Sequence, residues 1–79
     1  MQQKENNLCL VLGGCGFLGS VVTRHLVAEG LRVRVLDKEG QDTYRLMPVL
    51  SKIELQFGDF SNLGDLSRAL DGVTTVLHF

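Results

Sequence analysis

The stretch LCLVLGGCGFLGS, residues 8–20, joins a continuous apolar run to a cluster of glycines. A run that is apolar at every position is typical of a strand covered on both faces in a parallel sheet. After the glycines, apolar side chains recur at helical spacing from Leu18 to Leu26, and Gly30 closes the segment. The stretch therefore predicts a buried strand, a glycine-rich turn and a helix in direct succession.

Three of the glycines, Gly13, Gly16 and Gly19, form G-x-x-G-x-x-G at the junction of strand and helix. Gly13 permits a sharp turn that other residues resist. Gly16 lacks a side chain, so a dinucleotide pyrophosphate can approach the backbone, and Gly19 lets the helix pack closely. The unpaired N–H groups and the positive dipole end at the helix start then face the phosphates. This pattern predicts a dinucleotide-binding turn.

A carboxylate agrees with that prediction. Asp37 ends a second apolar strand, where it can accept hydrogen bonds from both hydroxyls of an adenosine ribose. The same charge would repel the extra phosphate of NADP, so NAD is the expected cofactor, although the neighbouring Lys38 can help to accept that phosphate. The alternative from the residues alone is a glycine-rich turn with an ordinary solvated aspartate.

The rest of the chain alternates between strand and helix patterns. The predicted elements are a strand over 31–36, a polar loop over 37–42, a short helix over 43–50 weakened by Pro48, a strand over 53–57, a helix capped by Ser61 or Asn62 and ending at Gly72, and a strand over 73–79. The arginines at 32 and 34 are expected to be solvated charges at the strand edge.

Alternating strands and helices predict an α/β fold with a parallel, Rossmann-like sheet of strand order 3-2-1-4. The fourth strand would leave an apolar edge unpaired, which native domains normally cover. We therefore expect residues 7–79 to be a partial NAD(P)-binding Rossmann domain, truncated after its fourth strand and preceded by a polar tail over residues 1–6. On this view the chain is the N-terminal piece of a longer protein or a truncated gene product.

Composition excludes several classes of partner. The 79 residues are 44% hydrophobic and 22% charged and carry a net charge of −1, which gives no electrostatic attraction for nucleic acid or an anionic membrane. Cys9 and Cys15 form neither a disulfide framework nor a metal motif, so no metal site and a reducing, cytoplasmic setting are expected. No apolar run reaches the length of a membrane-spanning helix.

One short segment resembles a targeting motif. The segment 12–15, LGGC, resembles the cleavage box of bacterial lipoproteins, in which small residues precede a lipidated cysteine. The apolar run before it is too short for a signal-peptide core, and the tail MQQKENN lacks a clear positive excess. A lipoprotein is therefore kept only as a minor alternative.

Four landmarks together resemble one family. LVLGGCGFLGS is similar to the T-G-G-x-G-F-x-G signature of the extended short-chain dehydrogenase/reductase family, the NAD-dependent epimerase/dehydratases. The segments RVLD (34–37), FGDF (57–60) and VLHF (76–79) match later landmarks of that family in order and at suitable spacing. The resemblance covers the chain from Leu8 onward. Leu12 departs from it, because the family often has threonine there.

The resemblance implies which residues bind the cofactor. These are Gly13, Gly16, Phe17, Leu18 and Gly19 at the pyrophosphate, Asp37 at the ribose, and Asp59 and Phe60 beside the adenine. Phe17 and Leu18 would act through their backbone N–H groups, and Asp59 would accept from the exocyclic amine of adenine. His78 and Phe79 would open a loop that flanks the cofactor. The alternative from the residues alone is that Gly-Asp forms an ordinary turn and that the Asp59 side chain caps the next helix.

The catalytic residues of the family are not found in this chain. The family's catalytic tyrosine belongs to a Tyr-x-x-x-Lys pair, and Pro48 stands at the lysine position relative to Tyr44. His25 and His78 are expected to be structural. The chain alone should therefore bind cofactor without reacting. The expected function is the NAD(P)-binding portion of a sugar-nucleotide epimerase or dehydratase, and the full-length parent is expected to be a homodimer.

Two other functions stay open at this point. A 3β-hydroxysteroid dehydrogenase-like enzyme acting on sterols would suit the glycine motif equally well. A redox-sensing regulator could bind the dinucleotide without turning it over. A Tyr-x-x-x-Lys pair further along the gene would favour an enzyme over a sensor.

Overall fold

Strands and helices alternate along residues 7–79, which are the residues that the computed structural model describes. The elements are β1 (Leu8–Leu12), α1 (Phe17–Ala28), β2 (Arg32–Asp37), a 3₁₀ helix (Tyr44–Lys52), β3 (Glu54–Phe57), α2 (Leu63–Leu70) and β4 (Thr75–His78). The polar tail expected at residues 1–6 lies outside the described residues. Within residues 7–79, no helix is long and apolar enough to cross a membrane.

The four strands form one parallel sheet in the order β3-β2-β1-β4. This confirms the Rossmann-like α/β fold and the strand order 3-2-1-4 predicted from the sequence. All five residues of β1 are buried, as its continuous apolar run predicted. Because β1 lies between β2 and β4, the turn that follows it opens at the middle of the sheet's carboxyl edge.

Two apolar cores cover the two faces of the sheet. One contains Val11, Val35 and Leu46 and is covered by α1 and the 3₁₀ helix. The other contains Leu10, Leu36 and Ala69 and lies beneath α2. Along β1, Leu10 and Leu12 belong to one core and Val11 to the other, as the pleat of a strand requires.

The most deeply buried face of α1 is formed by small residues and not by its apolar ones. Leu18 is 63% exposed and Val21 is 40% exposed, whereas Gly19, Ser20 and Thr23 are buried. Small residues allow the helix to approach the turn after β1 closely. The apolar spacing thus predicted the helix correctly but did not identify its most deeply buried face.

The segment with Pro48 is a 3₁₀ helix, Tyr44–Lys52, longer than the short helix predicted over 43–50. Proline has no N–H to donate and disfavours the α conformation of the residue before it, so a regular α-helix is not stable here. Leu46 and Val49 are nevertheless buried and anchor the segment to the core.

The fourth strand is shorter than predicted. It begins at Thr75, not at residue 73, because the N–H of Val73 donates to the Leu70 carbonyl at 3.0 Å and closes the end of α2.

Arg34 is not the solvated charge that the sequence predicted. Its side chain is only 11% exposed, and its guanidinium donates to the Glu54 carboxylate at 2.8 Å and to the backbone carbonyls of Ala69 at 2.6 Å and Asp71 at 2.8 Å. Arg34 is therefore a largely covered connection between β2, β3 and the end of α2. Arg32, which is 54% exposed, remains the solvated charge that the sequence suggested.

Candidate dinucleotide-binding site

The turn after β1 is shaped by backbone that tolerates no side chain at Gly13. Gly13 has a φ of +82°, and a β-carbon there would lie 2.6 Å from the backbone oxygen of Phe79. Its N–H donates to the Leu36 carbonyl at 3.0 Å. The chain therefore turns off β1 between the carboxyl ends of β2 and β4, which gives Gly13 the turning role predicted for it.

Gly19 and Gly16 lack side chains for different reasons. A β-carbon on Gly19 would overlap the carbonyl oxygen of Gly13 and approach the α-carbon of Gly14 to 2.8 Å, so packing of α1 on the turn excludes it. A β-carbon on Gly16 would meet only the Gly13 oxygen, at an ordinary 3.6 Å. The protein itself therefore has room for a side chain at Gly16, and the open backbone there is available to a ligand.

The start of α1 presents unpaired donors beside this open backbone. Gly16 is the N-cap and supplies no side-chain acceptor, and the first turn contains no acidic residue. Within the described chain, the N–H groups of Phe17, Leu18 and Gly19 have no hydrogen-bond acceptor. Unpaired donors and the positive end of a helix dipole together favour an anion such as a phosphate.

Asp37 lies at the carboxyl end of β2, beside the same turn. Its Oδ2 accepts from the N–H of Cys15 at 2.9 Å, and its Oδ1 accepts from the N–H of Lys38 at 2.8 Å. The two bonds fix the carboxylate next to the glycine turn. Since each carboxylate oxygen can accept more than one hydrogen bond, both still have capacity for a ligand's hydroxyl groups.

A cleft of about 240 Å³ opens at this edge of the sheet. Its lining comes from the ends of β1, β2 and β4 and from the loop after β3: Gly13, Leu36, Asp37, Lys38, Gln41, Phe60, His78 and Phe79. The rings of Phe60 and His78 meet edge to face, with centroids 4.9 Å apart. The structure thus brings Gly13, Asp37 and Phe60 together with the two residues expected to flank the cofactor.

Asp59 takes a different position from Phe60. It lies on an adjoining groove of about 410 Å³, together with Lys38, Gly58 and Asp65. Its Oδ1 accepts from the Ser61 hydroxyl at 2.7 Å and the Ser61 N–H at 2.9 Å, and these bonds lower the pKa of the Asp59 carboxyl. Asp59 therefore forms the Gly-Asp turn that the residues suggested.

The helix cap that the same alternative assigned to Asp59 belongs to Asn62, whose Oδ1 accepts from the Asp65 N–H at 2.9 Å. The sequence prediction of Ser61 or Asn62 at this position is thus resolved in favour of Asn62.

Sequence reasoning missed two residues of this region. Gln41 lines the cleft from a polar loop whose path no periodicity predicts. Asp65 accepts from the Asp59 N–H at 2.9 Å. Asn62 followed three residues later by an acid has the spacing of a capping box, but Asp65 accepts from Asp59 and not from the N-cap N–H, so this spacing did not predict the contact.

Cys15 belongs to the core. It is 1% exposed and packs with Val11, Val35 and Leu46. Burial, and then the nearby charge of Asp37, raises the pKa of the Cys15 thiol to about 11, so the reactive thiolate is scarce at neutral pH. Lipoprotein processing would cleave the chain before Cys15 and so remove β1. The burial of Cys15 beside this central strand therefore argues against the lipoprotein alternative.

The remaining polar candidates lie outside the cleft. Tyr44 is exposed on the 3₁₀ helix, where the Arg45 guanidinium lies 4.7 Å from its ring centroid. His25 is exposed on α1. Across residues 7–79, no group of three or more His, Cys, Asp or Glu side chains is arranged to hold a metal ion.

Comparison with known proteins identifies the family. The model of the 3-beta hydroxysteroid dehydrogenase/isomerase family matches residues 10–79. The chain is 41% identical over 71 residues to the decarboxylating sterol-4-alpha-carboxylate 3-dehydrogenase of Bos taurus, covering 89% of this chain and 18% of that protein. The chain thus spans about a fifth of the length of this curated relative.

Solved structures agree on the fold. The UDP-glucose 4-epimerase of Thermus thermophilus, solved as its NAD complex, is 32% identical with a TM-score of 0.75, over 90% of this chain and 23% of that one. The dTDP-glucose 4,6-dehydratase of Bacillus anthracis, also solved with NAD, has a TM-score of 0.84 at 18% identity, over 92% and 26% of the two chains. The resemblance to the NAD-dependent epimerase/dehydratases is confirmed. The family match, the shared fold and the glycine turn lead to one conclusion: this chain belongs to the 3-beta hydroxysteroid dehydrogenase/isomerase family.

Proposed function

We propose that this chain is the NAD-binding portion of a longer oxidoreductase. The observation that carries the proposal is the turn at Gly16, where open backbone lies beside three unpaired N–H groups at the start of α1. A side chain would fit the protein there, and we attribute its absence to a ligand that needs the space. A pyrophosphate matches both the shape and the positive potential of this position.

The roles proposed for the other residues follow the order of the dinucleotide's parts, from the pyrophosphate through the ribose to the adenine. Gly13, Gly16 and Gly19 shape the turn for the pyrophosphate, and Phe17 and Leu18 donate their N–H groups to it. Asp37 accepts from the adenosine ribose, while Asp59 and Phe60 lie on the adenine side. When bound, NAD supplies the hydride acceptor, and the residues of this chain hold and orient it.

NAD is favoured over NADP by the position of Asp37. Its carboxylate is held in place by the Cys15 and Lys38 N–H groups, so it cannot easily turn away from an added phosphate. The added phosphate of NADP would lie beside the Asp37 carboxylate. Repulsion between these two negative groups lowers the affinity for NADP. The Lys38 side chain also lines the cleft and offsets part of this repulsion.

For the longer protein we propose a 3-hydroxysterol as substrate, since the family match and the bovine relative both point to that class. A nucleotide sugar is the second candidate, supported by the solved epimerase and dehydratase. Formation of NADH with one substrate class and not the other separates them. We also propose a cytoplasmic setting, supported by two unpaired thiols. Homodimer formation and the lack of nucleic-acid binding stay predictions.

Titration of the chain with NAD and NADP tests the cofactor proposal. We expect Asp37→Ala to weaken NAD binding by about tenfold or more, because a hydrogen bond to a charged group contributes roughly 1.5–3 kcal/mol. The preference for NAD over NADP should shrink at the same time. Asp42→Ala is the matched control, because Asp42 lies outside the cleft and accepts only from the Tyr44 N–H. An unchanged NAD affinity in Asp37→Ala contradicts the assignment.

A further inference from the structure

The loop between β3 and α2 is shaped by a carboxylate from the helix that follows it. Oδ2 of Asp65 accepts a hydrogen bond from the N–H of Asp59 at 2.9 Å. The carboxylate of Asp59 itself accepts from the N–H and the hydroxyl of Ser61. The Asp59 N–H is therefore held by Asp65, while the Asp59 carbonyl accepts from the Asn62 N–H at 2.9 Å.

Asp65 is fixed on both sides. Its N–H donates to the Asn62 side chain at 2.9 Å, and its Oδ1 accepts from the Arg68 guanidinium at 3.2 Å. A β-carbon on Gly58 would lie 2.9 Å from Oδ2 of Asp65, so the carboxylate packs directly on the Gly58 backbone. A side chain at residue 58 would therefore displace the Asp65 carboxylate.

The same loop is joined to the ribose side of the cleft. The Gly58 N–H donates to the Asp37 carbonyl at 2.9 Å, and Phe60 reaches across to contact His78. Asp65 therefore acts on one side of a short segment whose other side is the end of β2. Movement of Asp65 would displace Asp59 and Phe60 relative to Asp37.

We infer that Asp65 is a positioning residue for adenine recognition: through the Asp59 N–H and the Gly58 backbone it holds Asp59 and Phe60 where they meet the base. The inference rests on the proposed function, since it assumes that the dinucleotide's adenine lies at this loop. Asp65 touches no cofactor atom in this role. Its effect appears as discrimination of the base and not as a general loss of affinity.

The test compares NAD with nicotinamide hypoxanthine dinucleotide, which carries an oxygen in place of the adenine amine. Wild-type chain should prefer NAD, because the Asp59 carboxylate accepts from the amine and repels the oxygen. Asp65→Ala should lower that preference by about tenfold, comparable to the loss of one hydrogen bond to a charged acceptor. Asp65→Asn keeps an oxygen that can accept from the Asp59 N–H and should retain most of the preference.

Controls separate positioning from stability. Asp71→Ala changes an aspartate at the other end of the same helix and should leave the preference unchanged. Gly58→Ala displaces the Asp65 carboxylate without removing it and should reproduce the Asp65→Ala result, even if Asp65→Ala itself folds poorly. The free energy of unfolding is measured for each variant alongside the two affinities.

Each outcome decides the matter. Failure of wild type to bind NAD overturns the proposed function, and this inference with it. If wild type binds NAD but shows no preference over the hypoxanthine analogue, or if Asp65→Ala and Gly58→Ala keep the preference, only the role of Asp65 is overturned. A loss of stability in Asp65→Ala with an unchanged preference makes Asp65 a structural residue, which also rejects the inference.

Discussion

Gly16 and Gly19 belong to one motif, yet the atoms around them are different. Gly19 is pressed against the backbone of the preceding turn, and Gly16 faces open space. Packing of the protein itself excludes a side chain at Gly19, whereas Gly16 is the position that we propose for the pyrophosphate. Substitution by alanine should therefore separate the two.

We expect Gly16→Ala to change the free energy of unfolding by less than about 1 kcal/mol, the range for residues at a helix N-cap. Its NAD affinity should fall by about tenfold or more, because the new methyl group occupies the space needed by the pyrophosphate. Gly19→Ala should instead destabilise the fold by about 2 kcal/mol or more, since backbone atoms must move to admit it. Denaturant unfolding and calorimetric titration of both variants measure the two effects. A Gly16→Ala chain that binds NAD normally contradicts the placement of the pyrophosphate.

The glycine spacing and the aspartate after β2 were predictable, because the order strand, turn and helix constrains both. The bond between Cys15 and Asp37 was not, since it joins residues 22 positions apart through the path of a turn. Spacing along the chain places Asp37 near the turn. It does not show which N–H group holds the carboxylate.

Among the elements, β2 shows most clearly that an alternating sequence does not determine which residues of a face are buried. Arg32 and Arg34 lie on the same face of the strand, and both contact Glu54. Only Arg34 is covered by α2, whose last carbonyls it binds. An alternating pattern predicts which residues share a face, but a neighbouring helix decides which of them is buried.

Matched substitutions measure this difference. Arg34→Met should lower the free energy of unfolding by about 2–3 kcal/mol, because the carbonyls at the end of α2 lose a charged donor. Arg32→Met removes a half-exposed ion pair to the same glutamate and should cost less than about 1 kcal/mol. Urea denaturation of both variants provides the comparison. Equal losses in the two variants would show that coverage by α2 has no energetic weight.

Helix α1 and the 3₁₀ helix show two further features that the sequence pattern did not predict. The small residues Gly19, Ser20 and Thr23 give no hydrophobic signal, although close packing buries them. For the segment containing Pro48, composition predicted a helix but not its type. Contacts of Leu46 and Val49 with the core stabilise a 3₁₀ conformation that the local sequence alone does not select.

For the molecule as a whole, the topology was the most predictable feature. A fully apolar β1 must be central, and right-handed crossovers then leave few possible orders for the other strands. The part of the site that we propose for the adenine was less predictable, because it depends on contacts between the loop after β3, the start of α2 and the end of β4.

Alkaline pH should destabilise the whole fold through Cys15. In the unfolded chain its thiol ionises near the ordinary value of 9.0, whereas burial raises the folded pKa to about 11. Stability from the neutral thiol is therefore complete below pH 9 and is lost as the pH rises towards 11, by on the order of 2 kcal/mol. Unfolding free energies measured from pH 8 to 11 should fall more steeply for wild type than for Cys15→Ala. Parallel curves would contradict this contribution.

The central position of β1 also bears on how the protein is made. The N–H of Leu8 reaches the hydroxyl of Thr74, 66 positions later, and β1 pairs with β4 along its length. The ribosome therefore releases the middle strand first and its second neighbour last. Until that neighbour emerges, one hydrogen-bonding edge of the most apolar strand stays open, and during synthesis it is exposed to chaperones and to mispairing.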